Sequence, residues 1–431
     1  MSELDQILSP TFRKHLNTII KQFTFEKNSK FSSETYFYSI LNKITNRLSF
    51  AEISTHFFVN DEYPSKYNYT SISKSALIKA TKRQNILVFN KINDDLLNFI
   101  YKDNKPRILA VDGTYVHPNK IINDKLDKCA KLPLTTTKHE CKMLVSTIYD
   151  IENEITLNHT SMRFTSERLA LQSQLCYIKP NDILIMDRGY FSHELVRILF
   201  DNKIQFLFRI KTNSVYAKQL RLNKKCNFNY THKKIVRRLR CVKYKIDDKD
   251  DYYLLTNILN ITVKYAKELY RKRWCIETEF KHQKYSCGLD NLVSKSFDGV
   301  RKEIAIHTCA SIINGYMLSN IRKSDEKNTK TMKYNKKVCG EIINSEIIKI
   351  ILQIRSTTTQ NVKRINGEET KELMHQINQI KKTAHVPKPN RHYPRISKQR
   401  RSKWNTQGSM TKQLNKYRKT KQKDEISPTN N

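Results

Sequence analysis

The chain has 431 residues, enough for two or three domains and a sizeable core, and its 79 Lys and Arg against 41 Asp and Glu leave a formal charge of +38. Such an excess implies a polyanionic partner, and no apolar run reaches the roughly 18 residues of a membrane span. Nine cysteines, an odd number without any C-x2-C pair, argue against a disulfide framework and a zinc ribbon and point to a reducing compartment, while Met1-Ser2-Glu3-Leu4-Asp5 opens without the apolar stretch of a signal peptide.

Residues 1–100 read as a helical DNA-binding region without strand alternation. Tyr38, Ile40, Leu41 and Ile44 keep helical spacing, and Ser49-Phe50-Ala51-Glu52 is a capping-box pattern that starts a second helix. After a turn-like stretch at Asn60–Ser65, the segment Ser71–Arg83 opens on serines suited to an N-cap and carries Lys74, Lys79 and Arg83 on its outer face. It reads as a recognition helix whose cations reach base edges or phosphates; the alternative is an amphipathic helix packed on a core, because the preceding turn is long for a compact helix-turn-helix.

Residues 101–322 alternate apolar runs and helical periods. Ile108-Leu109-Ala110-Val111-Asp112-Gly113 and Ile183-Leu184-Ile185-Met186-Asp187-Arg188-Gly189 each show four continuous apolar residues, then an Asp, then a glycine that reads as a turn. These are buried strands of an α/β sheet with the aspartates at their C-terminal ends, the edge where ligands gather. Met143–Tyr149 and Ile155–Leu157 flank a turn as a hairpin, Leu195, Ile198 and Leu199 mark a helix, and Ile204–Ile210 is a further strand. Alternation through Val242, Tyr244 and Ile246 and the run Tyr252–Leu255 make an insertion at about 212–256 strand-rich. His117, His139, His159 and His193 show no ligand spacing and read as surface or packing residues.

The stretch Tyr270-Arg271-Lys272-Arg273-Trp274-Cys275-Ile276-Glu277 through Lys284 is the most informative. As one continuous helix it puts Tyr270, Arg273, Glu277 and Lys284 within a sector of roughly 60°, a phosphate-facing surface holding one acid, with Glu279 about 200° away from Glu277. A carboxylate among cations aimed at a polyanion helps only if it holds a metal ion or moves a proton. With Asp112 and Asp187 it makes a three-carboxylate site, whose charges stay ionised together only with cations between them. Beyond it, Val300, Ile304, Cys309, Ile312, Ile313 and Tyr316 read as a core helix. Residues 323–431 form a basic C-terminal region with one helix near Ile342–Ile354, then an extended or disordered stretch in which Arg391–Arg395 and Arg400–Trp404 interleave aromatics with cations.

These residues resemble the DDE transposases of insertion sequences, the IS-four group with an RNase H-like core, over roughly Asp112 to Ile321. Asp112, Asp187 and Glu277 match the family's three acids, and Tyr270, Arg273, Glu277 and Lys284 match its YREK signature; Cys275, His282 and Gln283 depart from its usual residues. The resemblance implies an RNase H-like mixed α/β sheet flanked by helices, with Asp112, Asp187 and Glu277 catalytic and holding two Mg²⁺, for which Mn²⁺ can substitute. It implies DNA contacts by Tyr270, Arg273 and Lys284, with Arg188 beside the second acid, a double-stranded DNA partner, a homodimer in the DNA complex and an intracellular, DNA-associated place of action. A nuclease of the same class that cuts without joining, a DNA-binding protein that has lost catalysis and a basic chromatin-type protein are the alternatives; the last explains the charge but not three acids so placed.

Overall fold

The computed structural model describes residues 2–25, 32–59, 73–126, 131–134, 140–162, 166–223, 226–232, 235–246, 250–325, 332–353 and 367–386. The turn at Asn60–Ser65, the start of the Ser71–Arg83 segment and the aromatic-cationic stretches after residue 387 lie outside them. Eight strands make one mixed sheet: β1 (Ile108–Val116), β2 (Met143–Asp150), β3 (Ile155–Met162), β4 (Ile183–Met186), β5 (Gln205–Ile210), β6 (Asn227–His232), β7 (Ile235–Ile246) and β8 (Asp250–Thr256), in the order β3-β2-β1-β4-β5-β8-β7-β6. β1 is parallel to β4 and β4 to β5, while every other pair is antiparallel. The apolar runs of β1 and β4 are buried because helices cover both sides of the sheet, which is why they read as continuous rather than alternating.

Two sequence expectations change in the structure. β1 does not stop at Asp112: Gly113 to Val116 continue the antiparallel ladder with β2, Gly113 opposite Ser146. Only the parallel pairing with β4 ends there, at Val111 opposite Met186. The glycine therefore marks a close approach by another side chain rather than a turn. The strand-rich segment 212–256 also continues the main sheet, since β8 pairs with β5 through Leu207–Ile210. Strand β6 was not expected from the sequence, although Phe228 and Tyr230, both buried, alternate there with polar residues.

The helical residues before β1 share their buried core with the sheet and with the 28-residue helix Phe297–Ser324. Val300, Ile304, Cys309, Ile312 and Ile313 on that helix are buried, as their spacing predicts. Asn93 in the helix Ile86–Ile100 donates to the Ala305 carbonyl at 2.9 Å, and Tyr38 in Ser33–Thr45 donates to the Ser345 carbonyl at 3.2 Å. The capping box forms as read: Ser49 N–H donates to Glu52 Oε2 at 2.6 Å and Glu52 N–H to Ser49 Oγ at 3.2 Å. Residues Met1–Val386 make one unit. Among the described residues no helix is long and apolar enough to cross a membrane.

Candidate active site

Parallel pairing of Val111 with Met186 brings the next residue of each strand, Asp112 and Asp187, side by side at one sheet edge. Asp112 Oδ1 accepts the Gly113 N–H at 2.9 Å. Asp187 precedes a single 3₁₀ turn, Arg188–Tyr190, closed by the Tyr190 N–H on the Asp187 carbonyl.

The third acid arrives on a broken helix. Instead of one continuous element, Val263–Lys272 and Trp274–Tyr285 meet at Arg273, where Arg273 N–H bonds the Tyr270 carbonyl and Ile276 N–H bonds the Arg273 carbonyl, a tightened turn. Arg273 keeps helical dihedrals, φ −53° and ψ −32°, and the motif's side chains reach the acids across this turn. Tyr270 Oη donates to Asp187 Oδ1 at 3.0 Å. Arg273 Nη1 donates to Asp112 Oδ2 at 3.0 Å and its Nη2 to Glu277 Oε1 at 2.8 Å. Lys284 Nζ donates to the Tyr115 carbonyl on β1 at 2.6 Å, fastening the helix end to the strand that carries Asp112. Tyr270 and Arg273 are 5% and 6% exposed, and their hydroxyl and guanidinium bond the three carboxylates. Glu279 does face the other way: it is buried and meets Lys336 at 2.9 Å.

The electrostatics follow from this wiring. Burial pushes Asp112 up, and Arg273 with the Gly113 N–H only partly offsets burial and the repulsion of Glu277 and Asp187. Asp187 is also opposed by burial, but the Arg188 N–H, Arg273, the Tyr270 hydroxyl and Arg209 outweigh it and hold the carboxyl below its ordinary value. Tyr270 is raised by burial and by Asp187.

A fourth carboxylate stands here that sequence reasoning missed. Glu167 opens the helix Glu167–Ser173, and burial, then Asp112 and Asp187, push its carboxyl up. It lies against the glycines that follow the two aspartates: a Cβ at Gly113 would meet Glu167 Oε1 at 2.6 Å, and one at Gly189 would meet Oε2 at 3.8 Å. The paired glycines were the available signal, and they read as turns.

Oxygen donors alone line the site, the chemistry of a hard divalent cation. Among the described residues no three acidic, His or Cys side chains lie close enough together to share one ion. The reason is visible: the Arg273 guanidinium bridges Asp112 and Glu277, a cation of the protein's own where an ion's charge is called for. The donor set therefore fits a divalent ion by charge and chemistry, with Arg273 standing in.

Beside Asp187, a cleft of about 260 Å³ is lined by Arg188, Arg209, Lys211, Thr212 and Tyr252, with Asp251 at its rim paired to Lys243 at 2.7 Å. Arg209 lies over the Tyr252 ring at 4.5 Å. Lys74, Lys79 and Arg83 are exposed on the helix Lys74–Arg83, whose Leu77 and Ala80 are buried, so the segment carries an outer basic face and also packs inward. Ser73 Oγ caps it, accepting the Ala76 N–H at 3.3 Å.

Residues 103–313 match the family model described as Transposase DDE domain. In structure the chain is similar to a piggyBac transposase solved by cryo-EM as a synaptic complex with hairpin DNA, at 12% identity and a TM-score of 0.45, over 91% of this chain and 86% of that one. No curated protein matches it in sequence.

Proposed function

We propose that this protein, whose residues 103–313 match the model of the transposase DDE domain, binds the ends of its own DNA element, hydrolyses the phosphodiester there and joins the freed 3′-OH to target DNA, as the IS-four group does. One observation carries the reading: Asp112 and Glu277 share the Arg273 guanidinium while Tyr270 of the same motif holds Asp187. Asp112, Asp187 and Glu277 would hold Mg²⁺, two ions with Mn²⁺ able to substitute; bound there, such ions activate the attacking oxygen and stabilise the leaving one.

The chain's own groups do the rest. Tyr270 orients Asp187 and favours its ionised form by donating to it. Lys284 ties the helix of Glu277 to β1, so the first and third acids move as one body. The cleft of Arg188, Arg209 and Lys211 opens beside Asp187 with the charge a phosphate backbone requires, and Lys74, Lys79 and Arg83 present a second basic face for the element end. Chemistry on two paired ends calls for a homodimer on DNA, and the place of action is wherever that DNA resides.

Purified full-length chain incubated with a flanked element end and Mg²⁺ should nick it, and Glu277→Gln should bind the end but not cut. Strand-transfer products on a target plasmid separate a transposase from a nuclease of the same class. Unaltered cutting by Glu277→Gln would remove that residue from the site.

A further inference from the structure

Arg273 holds two acids and leaves part of itself unused. Its Nη1 donates to Asp112 Oδ2 at 3.0 Å and its Nη2 to Glu277 Oε1 at 2.8 Å, while the buried Nε has no hydrogen-bond partner among the described residues. The guanidinium carbon lies 5.9 Å from the centre of the Tyr270 ring and 5.4 Å from that of Trp274. Asp112 and Glu277 thus have their charge met by a group of the chain itself. A guanidinium and a divalent ion on the same two carboxylates repel each other, so tight binding of the ion requires the guanidinium to leave.

Leaving is unfavourable for a buried cation unless an anion receives it. Carboxylate and phosphate both offer a guanidinium paired oxygens, so a phosphate can take over the bonds that Arg273 makes to the acids. The approach is open at the Glu277 end, where that carboxylate is one-third exposed and Lys281, about one helical turn on, is exposed. Arg271 and Lys272, exposed immediately before Arg273, add charge that draws a phosphate backbone to this turn.

We propose that Arg273 is an interlock between DNA and the divalent ion: in the free chain it neutralises Asp112 and Glu277, and a DNA phosphate seated at the turn draws it off and admits the ion. The proposal rests on the metal-dependent reading above. Ion and DNA then raise each other's affinity by the same factor, because both favour the same position of one side chain. An ion able to activate water is held firmly only where a phosphodiester is present.

Mn²⁺ binding to the full-length chain, counted by electron paramagnetic resonance of the free ion, tests this with and without a duplex that ends at the element's own 3′-OH, where nothing remains to be cut. The duplex should tighten Mn²⁺ binding to the parent by about tenfold. Without DNA, Arg273→Gln should bind Mn²⁺ about tenfold more tightly than the parent, and the duplex should then add less than it does for the parent. Arg273→Lys keeps the charge but cannot bridge both acids, so it should fall between the two and gives the reading if the Gln variant does not fold. A residue that only braced the fold would loosen Mn²⁺ binding when changed, the opposite sign. No tightening without DNA in either variant, alongside loss of binding in Asp112→Asn, overturns the interlock and leaves the three-acid reading standing. Failure of the parent chain to bind Mn²⁺ under either condition overturns both.

Discussion

Arg273 shows how a residue type can be read from sequence without all of its partners. A helical wheel identifies a cationic face, but carboxylates and phosphates are both anions, and periodicity cannot say which one the face meets. The two strand aspartates were legible because each follows a buried apolar run, whereas Glu167 sits in a polar stretch where only the tertiary path brings it to the site. In the folded chain Arg273 neutralises Asp112 and Glu277, so Arg273→Gln should destabilise the protein in EDTA by about 2–3 kcal/mol, less than a fully buried pair because Glu277 is one-third exposed. Saturating Ca²⁺ should restore more stability to the variant than it adds to the parent, since the ion no longer competes with a guanidinium. Thermal melts with and without Ca²⁺ check this, and equal increments would show that Arg273 and the ion do not contend for the same charge.

Among the elements, the strands flanking the acids and the long core helix were legible from hydrophobic runs and 3.6-residue spacing. The tightened turn at Arg273 was not, because nothing in Arg271-Lys272-Arg273-Trp274 carries a helix-stopping residue, and Arg273 itself keeps helical dihedrals. The reverse face of the helix Trp274–Tyr285 is held by Lys336, which meets Glu279 at 2.9 Å and Glu154, at the end of the β2–β3 turn, at 3.1 Å. Burial opposes the Glu154 charge, but Lys336, Lys333 and Arg322 outweigh it and take its pKa from 4.5 to about 2. A carboxyl depressed in this way contributes stability that is complete above its unfolded value and is lost as pH falls through the folded one. The contribution is on the order of 3 kcal/mol. Glu154→Gln should therefore lower the melting temperature at neutral pH and flatten its fall between pH 4.5 and 2. An acid limb as steep as the parent's would assign that loss to other carboxylates.

At the scale of the molecule, the +38 charge set the partner class before any element was placed. What composition could not give is how the helical region joins the sheet, because Asn93 to Ala305 and Tyr38 to Ser345 bridge residues hundreds apart in the chain. Residues Met1–Val386 form a unit without the Lys- and Arg-dense stretch that follows. A chain ending at Val386 should keep the parent's melting temperature, bind duplex DNA more weakly and lose part of the slope of log affinity against log salt, each phosphate contact removed reducing that slope by about 0.9. Fluorescence anisotropy across a salt series reads this, and an unchanged slope would take the last 45 residues off the DNA.

Lys336 leaves the ribosome 57 residues after Glu279, the side chain it anchors. During synthesis the helix bearing Glu277 is thus complete well before its rear support exists, and a product released early would carry the basic N-terminal face with an unbraced third acid. On the function proposed above, a chain ended before residue 336 lacks the brace behind Glu279, so the third acid is the part of the site most exposed to truncation.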